Sequence, residues 1–119
     1  LRNGATAEPA ATIPVPDAPV HLRVLNGSGA TGLARDLGRS LAAAGLVVGG
    51  VGNADGAVPA SLLVNRRLDQ AAAARLAARL GGLPVVREWD GRCSEDAVLV
   101  LGEDWTRVRE ALAGPAVRP

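Results

Sequence analysis

The sequence predicts a two-layer α/β sandwich, in which two strand–helix–strand units form one mixed sheet of four or five strands with the helices on one face. Two observations support this prediction. Short apolar runs alternate with alanine- and leucine-rich segments of helical period between residues 20 and 113. Glycine follows each of the first two helical segments, as is typical of a helix C-terminus. At 119 residues, the chain has room for one domain.

The first unit begins with a strand predicted at residues 20–25, where apolar and polar residues alternate before an apolar end. A helix is predicted over 30–44, because apolar side chains recur there on one helical face. Gly45 ends this helix. A short buried strand at 46–48 and a glycine-rich connection over 49–59 complete the unit.

The second unit repeats this order, with a strand predicted at 61–65 and a helix at 68–80. The strand at 84–87 is predicted at a sheet edge, because Pro84 cannot donate a hydrogen bond to a ladder. The order of strand, asparagine, helix and glycine is shared by both units. Whether the two units arose by internal duplication stays open, since short strands and alanine-rich helices resemble one another in any case.

The remaining segments complete the domain organisation. A buried strand is predicted at 97–101, followed by a weaker helix over 104–113. Residues 1–19 are rich in proline and alanine and are predicted to form an extended linker. The folded domain therefore spans 20–113, and residues 114–119 are predicted to be a disordered tail.

Composition excludes several classes of function. The net charge of +1 provides no strong field for nucleic acid or an anionic membrane. Cys93 is the only cysteine, so neither an intramolecular disulfide nor a thiolate metal cage can form. No apolar run approaches the roughly 20 residues that a transmembrane helix needs. Attachment to a membrane is therefore expected only through an anchor upstream of this chain.

The glycine turn at residues 27–32 has the spacing G-x-G-x-x-G between a predicted strand and a predicted helix. Such a turn can hold the phosphates of a dinucleotide at the helix N-terminus. However, the second predicted strand is followed by no carboxylate before Asp55, and no helix is predicted between the second and third strands. The turn is therefore interpreted chiefly as a tight strand-to-helix connection, and no cofactor is predicted.

Other reactive side chains indicate no catalysis. His21 is the only histidine and lies in a strand, and no serine has the context of a nucleophile elbow. The carboxylates of the last third alternate with arginines and match no calcium loop, so no metal site is predicted. Of the two tryptophans, Trp105 is expected mainly in the core, whereas Trp89 lies in a polar loop and is a candidate for ligand contact.

Several short motifs, taken in order, resemble the LytR C-terminal domain family. They are VLNGSG at 24–29, GLA at 32–34, GNA at 52–54, LG at 80–81, and VLVLG at 98–102 followed after one residue by Asp104-Trp105. The resemblance covers about residues 20–105. The strand at 62–65 departs from it, because an aromatic or threonine-rich sequence is expected there.

This resemblance implies a non-catalytic, extracytoplasmic domain of the cell envelope, of the kind found behind LytR–CpsA–Psr transferase domains or alone on a membrane-anchored stalk. Its expected partners are peptidoglycan, an envelope glycopolymer or a LytR–CpsA–Psr-type transferase. Two alternatives stay open: a nucleotide-binding enzyme fragment, and a homodimerisation module that pairs through a sheet edge. The candidate ligand-binding residues are Asn26, Gly27, Ser28, Gly29, Asn53, Asp55 and Trp89.

Overall fold

The computed structural model describes residues 20–89, 92 and 94–117. The predicted linker over 1–19, Cys93 and the last two residues of the predicted tail lie outside these ranges. The described elements, in chain order, are β1 (His21–Asn26), α1 (Leu33–Ala43), β2 (Val47–Asn53), β3 (Leu62–Asn65), α2 (Gln70–Arg79), β4 (Val85–Arg87), β5 (Ala97–Leu101) and α3 (Thr106–Val117).

The five strands form one mixed sheet in the order β2-β1-β5-β3-β4. Each predicted unit contributes a parallel pair with a helix between its strands, β1 with β2 and β3 with β4. The last strand, β5, lies between the two pairs, parallel to β1 and antiparallel to β3. The predicted mixed sheet of an α/β sandwich is therefore confirmed.

All three helices contribute to one hydrophobic core on one face of the sheet. The strand residues in this core alternate along the chain, as side chains on one face must: Leu22, Val24, Leu63, Ala97, Leu99 and Leu101. The helices and the C-cap of α2 add mainly leucines: Leu33, Leu37, Leu41, Leu76, the capping Leu80 and, from α3, Val108. Leucine and valine fill this core because the sequence contains no phenylalanine, tyrosine or methionine.

The β2 strand differs from its prediction. A buried strand of three residues was expected at 46–48, but β2 continues through the glycine run to Asn53 and forms an edge of the sheet. The side chains of Val47 and Val51 are 39% and 47% exposed. Pairing with β1 holds the glycines extended, with a register shift opposite Leu22 and Arg23. Hydrogen bonding to a neighbouring strand thus outweighs the low strand propensity of glycine.

The helices also differ at their ends. α1 begins at Leu33, later than expected, because Gly32 has a φ angle of 76° that a helix cannot contain. Gly45 follows α1 with a φ of 102°, which confirms its predicted role at the helix C-terminus. α3 extends to Val117, beyond its predicted end. Within the described part of the chain, no helix is long and apolar enough to cross a membrane.

Candidate functional site

Asn26, the last residue of β1, organises the turn into α1. Its Oδ1 accepts hydrogen bonds from the backbone N–H of Ser28 at 2.9 Å and from the Ser28 hydroxyl at 2.6 Å. Its Nδ2 donates to the carbonyl oxygen of Ala30 at 2.6 Å, and the Ser28 Oγ accepts from the Ala30 N–H at 3.0 Å. The prediction that Asn26 holds the turn backbone is confirmed by these hydrogen bonds.

Gly27 is the point where the turn meets two other segments. Its N–H donates to the carbonyl of Leu101 at 2.7 Å, and its carbonyl accepts from the N–H of Val58 at 2.8 Å. A Cβ at this position would lie 2.8 Å from the Cβ of Val58 and 3.1 Å from the Leu101 oxygen. Glycine is therefore required here by the close approach of the β2–β3 connection and the end of β5.

The turn forms one wall of a cleft of about 480 Å³ at the carboxyl ends of β1 and β2. Residues 26–32 line this wall, and Asn53, Gly56 and Ala57 line the opposite one. No ionisable side chain is among them. We call this space the turn cleft. Its lining combines backbone groups, hydroxyls and carboxamides with apolar surface and carries no charge, and its position is one where α/β sheets commonly bind ligands.

The N-terminus of α1 follows the turn cleft directly and has no side-chain cap. Gly32 occupies the N-cap position and offers no acceptor to the first amides of the helix. In α2 the same position is held by Asp69, whose carboxylate accepts a hydrogen bond from Ala72 N–H at 2.8 Å. The first helix therefore begins without a side-chain cap, and its first N–H, that of Leu33, is 3.4 Å from the carbonyl oxygen of Ala30, whereas the second helix begins with a side-chain cap.

The structure brings five of the seven predicted site residues together. Asn26, Gly27, Ser28, Gly29 and Asn53 all line the turn cleft.

The other two predicted residues lie elsewhere. Asp55 is exposed on the β2–β3 connection, where its neighbours Gly56 and Ala57 line the cleft instead. Trp89 follows β4, at the opposite edge of the sheet from β2. Its side chain is 58% exposed, and the guanidinium carbon of Arg87 lies 5.6 Å from its ring centroid.

A second cleft, of about 220 Å³, lies between α1 and the start of α3. It shares Ala30 and Thr31 with the turn cleft and is also lined by Trp105 and Arg109. We call it the α1–α3 cleft. Trp105 was expected mainly in the core; it does pack against the core, but it is only half buried and also lines this cleft. Sequence reasoning missed the cleft because α1 and α3 are distant in the chain.

The motif of Gly102 and Asp104 forms a joint between β5 and the start of β3. The Ser61 side chain is fully buried, donates to Asp104 Oδ1 at 2.7 Å and accepts from the Gly102 N–H at 2.9 Å. The Ser61 N–H also donates to Asp104 Oδ1 at 2.7 Å. A Cβ on Gly102 would lie 2.8 Å from the backbone nitrogens of Ala60 and Ser61. We call this cluster the β3–β5 joint.

Hydrogen bonding determines the charge state of Asp104. Burial raises the pKa of this carboxyl, but the hydrogen bonds from Ser61 and the nearby Arg107 guanidinium outweigh burial and hold the pKa below its ordinary value of 3.8. The Arg107 Nη1 lies 3.4 Å from Asp104 Oδ2. Asp104 is therefore an ionised structural acceptor at neutral pH, and Ser61 is its donor rather than a nucleophile.

His21 lies in a separate structural network. Its backbone N–H donates to Asp96 Oδ2 at 2.8 Å, and its Nδ1 is 3.7 Å from the same oxygen. Asp96 also lies 3.8 Å from Arg67 Nε and accepts from the Arg67 backbone through its carbonyl. These contacts connect the start of β1 to the segment before β5. Among the described residues, no group of three or more histidine, cysteine, aspartate or glutamate side chains is placed to hold a metal ion.

The fold and the turn cleft together define a small mixed-sheet α/β domain with a neutral, glycine-lined cleft, distinct from a doubly wound nucleotide fold. The β2 strand ends in Asn53 rather than in an acidic residue. The chain belongs to the LytR C-terminal family: the family model described as "LytR cell envelope-related transcriptional attenuator" matches residues 19–105. It is thus a member of an accessory domain family related to the cell envelope.

A solved structure has the same fold. It is the soluble domain of a conserved hypothetical secreted protein from Mycobacterium marinum, with a TM-score of 0.58 and 21% sequence identity. The match covers 80% of this chain and 84% of that one. No curated protein sequence matches this chain significantly.

Proposed function

We propose that this chain is a non-catalytic, extracytoplasmic domain of the cell envelope that binds the glycan of peptidoglycan or of an envelope glycopolymer in the turn cleft. The neutral cleft of about 480 Å³ beside Asn26 is the observation that carries this proposal. Membership of an envelope-related family supports the compartment.

The chemistry of the turn cleft favours a sugar. Backbone amides, the Thr31 hydroxyl and the Asn53 carboxamide supply the donors and acceptors that match hydroxyl and N-acetyl groups. No lysine or arginine lines the cleft to balance the charges of a pyrophosphate. Asn26 and Ser28 already bond to each other and to Ala30, so they position the wall and do not activate a nucleophile.

Binding to a protein partner is the second candidate, either to a LytR–CpsA–Psr-type transferase or to a second copy of this chain. The β2 edge favours it, because its seven residues include no charged side chain and two exposed valines. A scattering mass that stays monomeric at every concentration would exclude the second copy.

Sedimentation with purified, insoluble peptidoglycan tests the proposed function. The protein is expected to sediment with the polymer, and Asn53→Ala is expected to weaken retention about three- to tenfold, the effect of one lost hydrogen bond. Gln70→Ala is the matched control, since Gln70 is an exposed amide at the start of α2. Retention no greater than that of an unrelated domain would contradict the proposal.

A further inference from the structure

The α1–α3 cleft adjoins the turn cleft around the beginning of α1. Ala30 and Thr31 line both clefts, so a ligand leaving one can enter the other without crossing another element. The remaining lining residues come from two helices: Leu33, Asp36, Leu37 and Ser40 from α1, with Trp105 and Arg109 at α3. The exposed side chain of Thr31 lies between the two spaces.

Trp105 gives the α1–α3 cleft a fixed aromatic surface. Its ring packs partly against the core, which restricts its orientation. The guanidinium carbon of Arg109 lies 5.4 Å from the ring centroid, an arrangement that holds the guanidinium in place by cation–π attraction. An aromatic surface beside a held group of N–H donors suits a ligand with both C–H surfaces and hydroxyl groups.

The polar groups of this cleft indicate a neutral ligand. Asp36 and Ser40 add a carboxylate and a hydroxyl on the side of α1, opposite Arg109. The Asp36 carboxylate makes a long ion pair, 4.0 Å from Arg39, and most of its side chain is exposed. It therefore opposes a phosphate or a carboxylate near Arg109, whereas it can accept hydrogen bonds from hydroxyl groups.

We propose that the α1–α3 cleft is a second sugar subsite, so that the domain binds at least two neighbouring residues of one glycan. One sugar occupies the turn cleft, and a neighbouring sugar lies against Trp105 with its hydroxyls on Asp36, Ser40 and Arg109. This inference rests on the proposed function, because it assigns the direction in which the glycan leaves the turn cleft.

Tryptophan fluorescence tests the second subsite directly. In a Trp89→Phe background, Trp105 is the only remaining tryptophan and reports contact with the α1–α3 cleft. The probes are N-acetylglucosamine and a four-sugar peptidoglycan glycan freed of peptide by amidase. The four-sugar glycan is expected to bind at least tenfold more tightly and to change the Trp105 emission.

Arg109→Gln is the informative variant, because Arg109 is exposed and its loss leaves the core intact. It is expected to weaken binding of the four-sugar glycan at least fivefold and to leave the thermal unfolding temperature within a few degrees. Arg75→Gln, which removes an exposed arginine from α2, is the matched control and is expected to bind as the parent does.

The outcomes separate the two proposals. If the four-sugar glycan binds and Asn53→Ala weakens it, while Trp105 emission and the Arg109→Gln affinity do not change, the second subsite is wrong and the turn cleft stands. If neither N-acetylglucosamine nor the four-sugar glycan binds, the proposed function itself is overturned, and the second subsite with it.

Discussion

In both strand–helix–strand units, an asparagine at the end of the first strand bonds to the backbone of the following turn. The two turns differ in length and in how the next helix is capped. Asn26 ends β1 and Asn65 ends β3, and each carboxamide both accepts from and donates to the backbone of the following turn. In the second unit, both bonds go to Leu68 at 2.9 Å and Asp69 caps α2. In the first unit, three glycines lengthen the turn and Gly32 leaves α1 without a side-chain cap.

The two turns therefore differ in role: the second stabilises the fold, and the first forms a wall of the cleft that is proposed to bind a ligand. The Asn65 side chain is buried, with 4% of the residue exposed, whereas Asn26 is only part buried and lines the turn cleft. The smaller cleft at the corresponding end of β3, about 210 Å³, is lined by Asn65, Gln70 and the exposed strand β4. The asparagine of the second turn is thus buried and bonded within the turn, whereas the asparagine of the first turn lies at an open cleft.

The largest effect is expected at the β3–β5 joint, where the two units meet. Gly102→Ala places a Cβ against the backbone of Ala60 and Ser61 and is expected to lower the free energy of unfolding by about 3 kcal/mol. Urea denaturation measures the change. Gly49→Ala is the matched control, because nothing lies within 4 Å of its added Cβ, and it is expected to change stability by less than about 0.5 kcal/mol. If the two variants are equally stable, the close packing of Gly102 against the backbone of Ala60 and Ser61 is contradicted.

A smaller effect, of about 2 kcal/mol, is expected from Asn65→Ala, because the part-buried N–H and carbonyl of Leu68 lose their partner, the buried Asn65 carboxamide. Asn26→Ala is expected to destabilise by a similar or smaller amount, since its turn is partly open to water. Peptidoglycan sedimentation separates the two variants: only Asn26→Ala should lower retention among folded molecules. Equal loss of retention by both would remove the functional distinction between the two turns.

The smallest effect on stability is expected from a change in pH, which acts on the β3–β5 joint but not on the two asparagine turns. The folded-state pKa of Asp104 lies below its ordinary value of 3.8, so its stabilising contribution is present above that value and is lost as the pH falls through the folded pKa. The asparagine turns carry no charge and keep their bonds in acid. Thermal unfolding between pH 7 and pH 2 should show a smaller acid-induced loss in Asp104→Asn than in the parent. If the variant and the parent lose the same amount of thermal stability in acid, other carboxyl groups cause the acid sensitivity.

Local signals explain which parts of the fold could be predicted. Gly45 and Pro84 mark a helix end and an edge strand through their own backbone chemistry, and both predictions are confirmed. The length of β2 and the central position of β5 depend on pairing between distant segments, which no local pattern in the glycine run or in residues 97–101 encodes.

The same distinction applies to the candidate site. The residues of the first turn adjoin in sequence, and Asn53 joins them because parallel neighbouring strands end at one edge of the sheet. The predictions for Asp55 and Trp89 rested on residue type and position in a loop, and neither residue lines the turn cleft. The α1–α3 cleft could not be predicted, since it depends on how two helices far apart in the chain meet on the sheet.

The central place of β5 also determines when this domain can exist during synthesis. Before β5 is made, the available parallel pairs are β1 with β2 and β3 with β4, and each is a two-stranded ribbon of the kind that is marginally stable alone. The core closes only when residues 97–101 arrive and fill the gap between the ribbons. A chain that stops before this point leaves the inner edges of β1 and β3 unpaired in addition to the outer edges of β2 and β4, so truncated products should be more vulnerable to aggregation and degradation than completed ones.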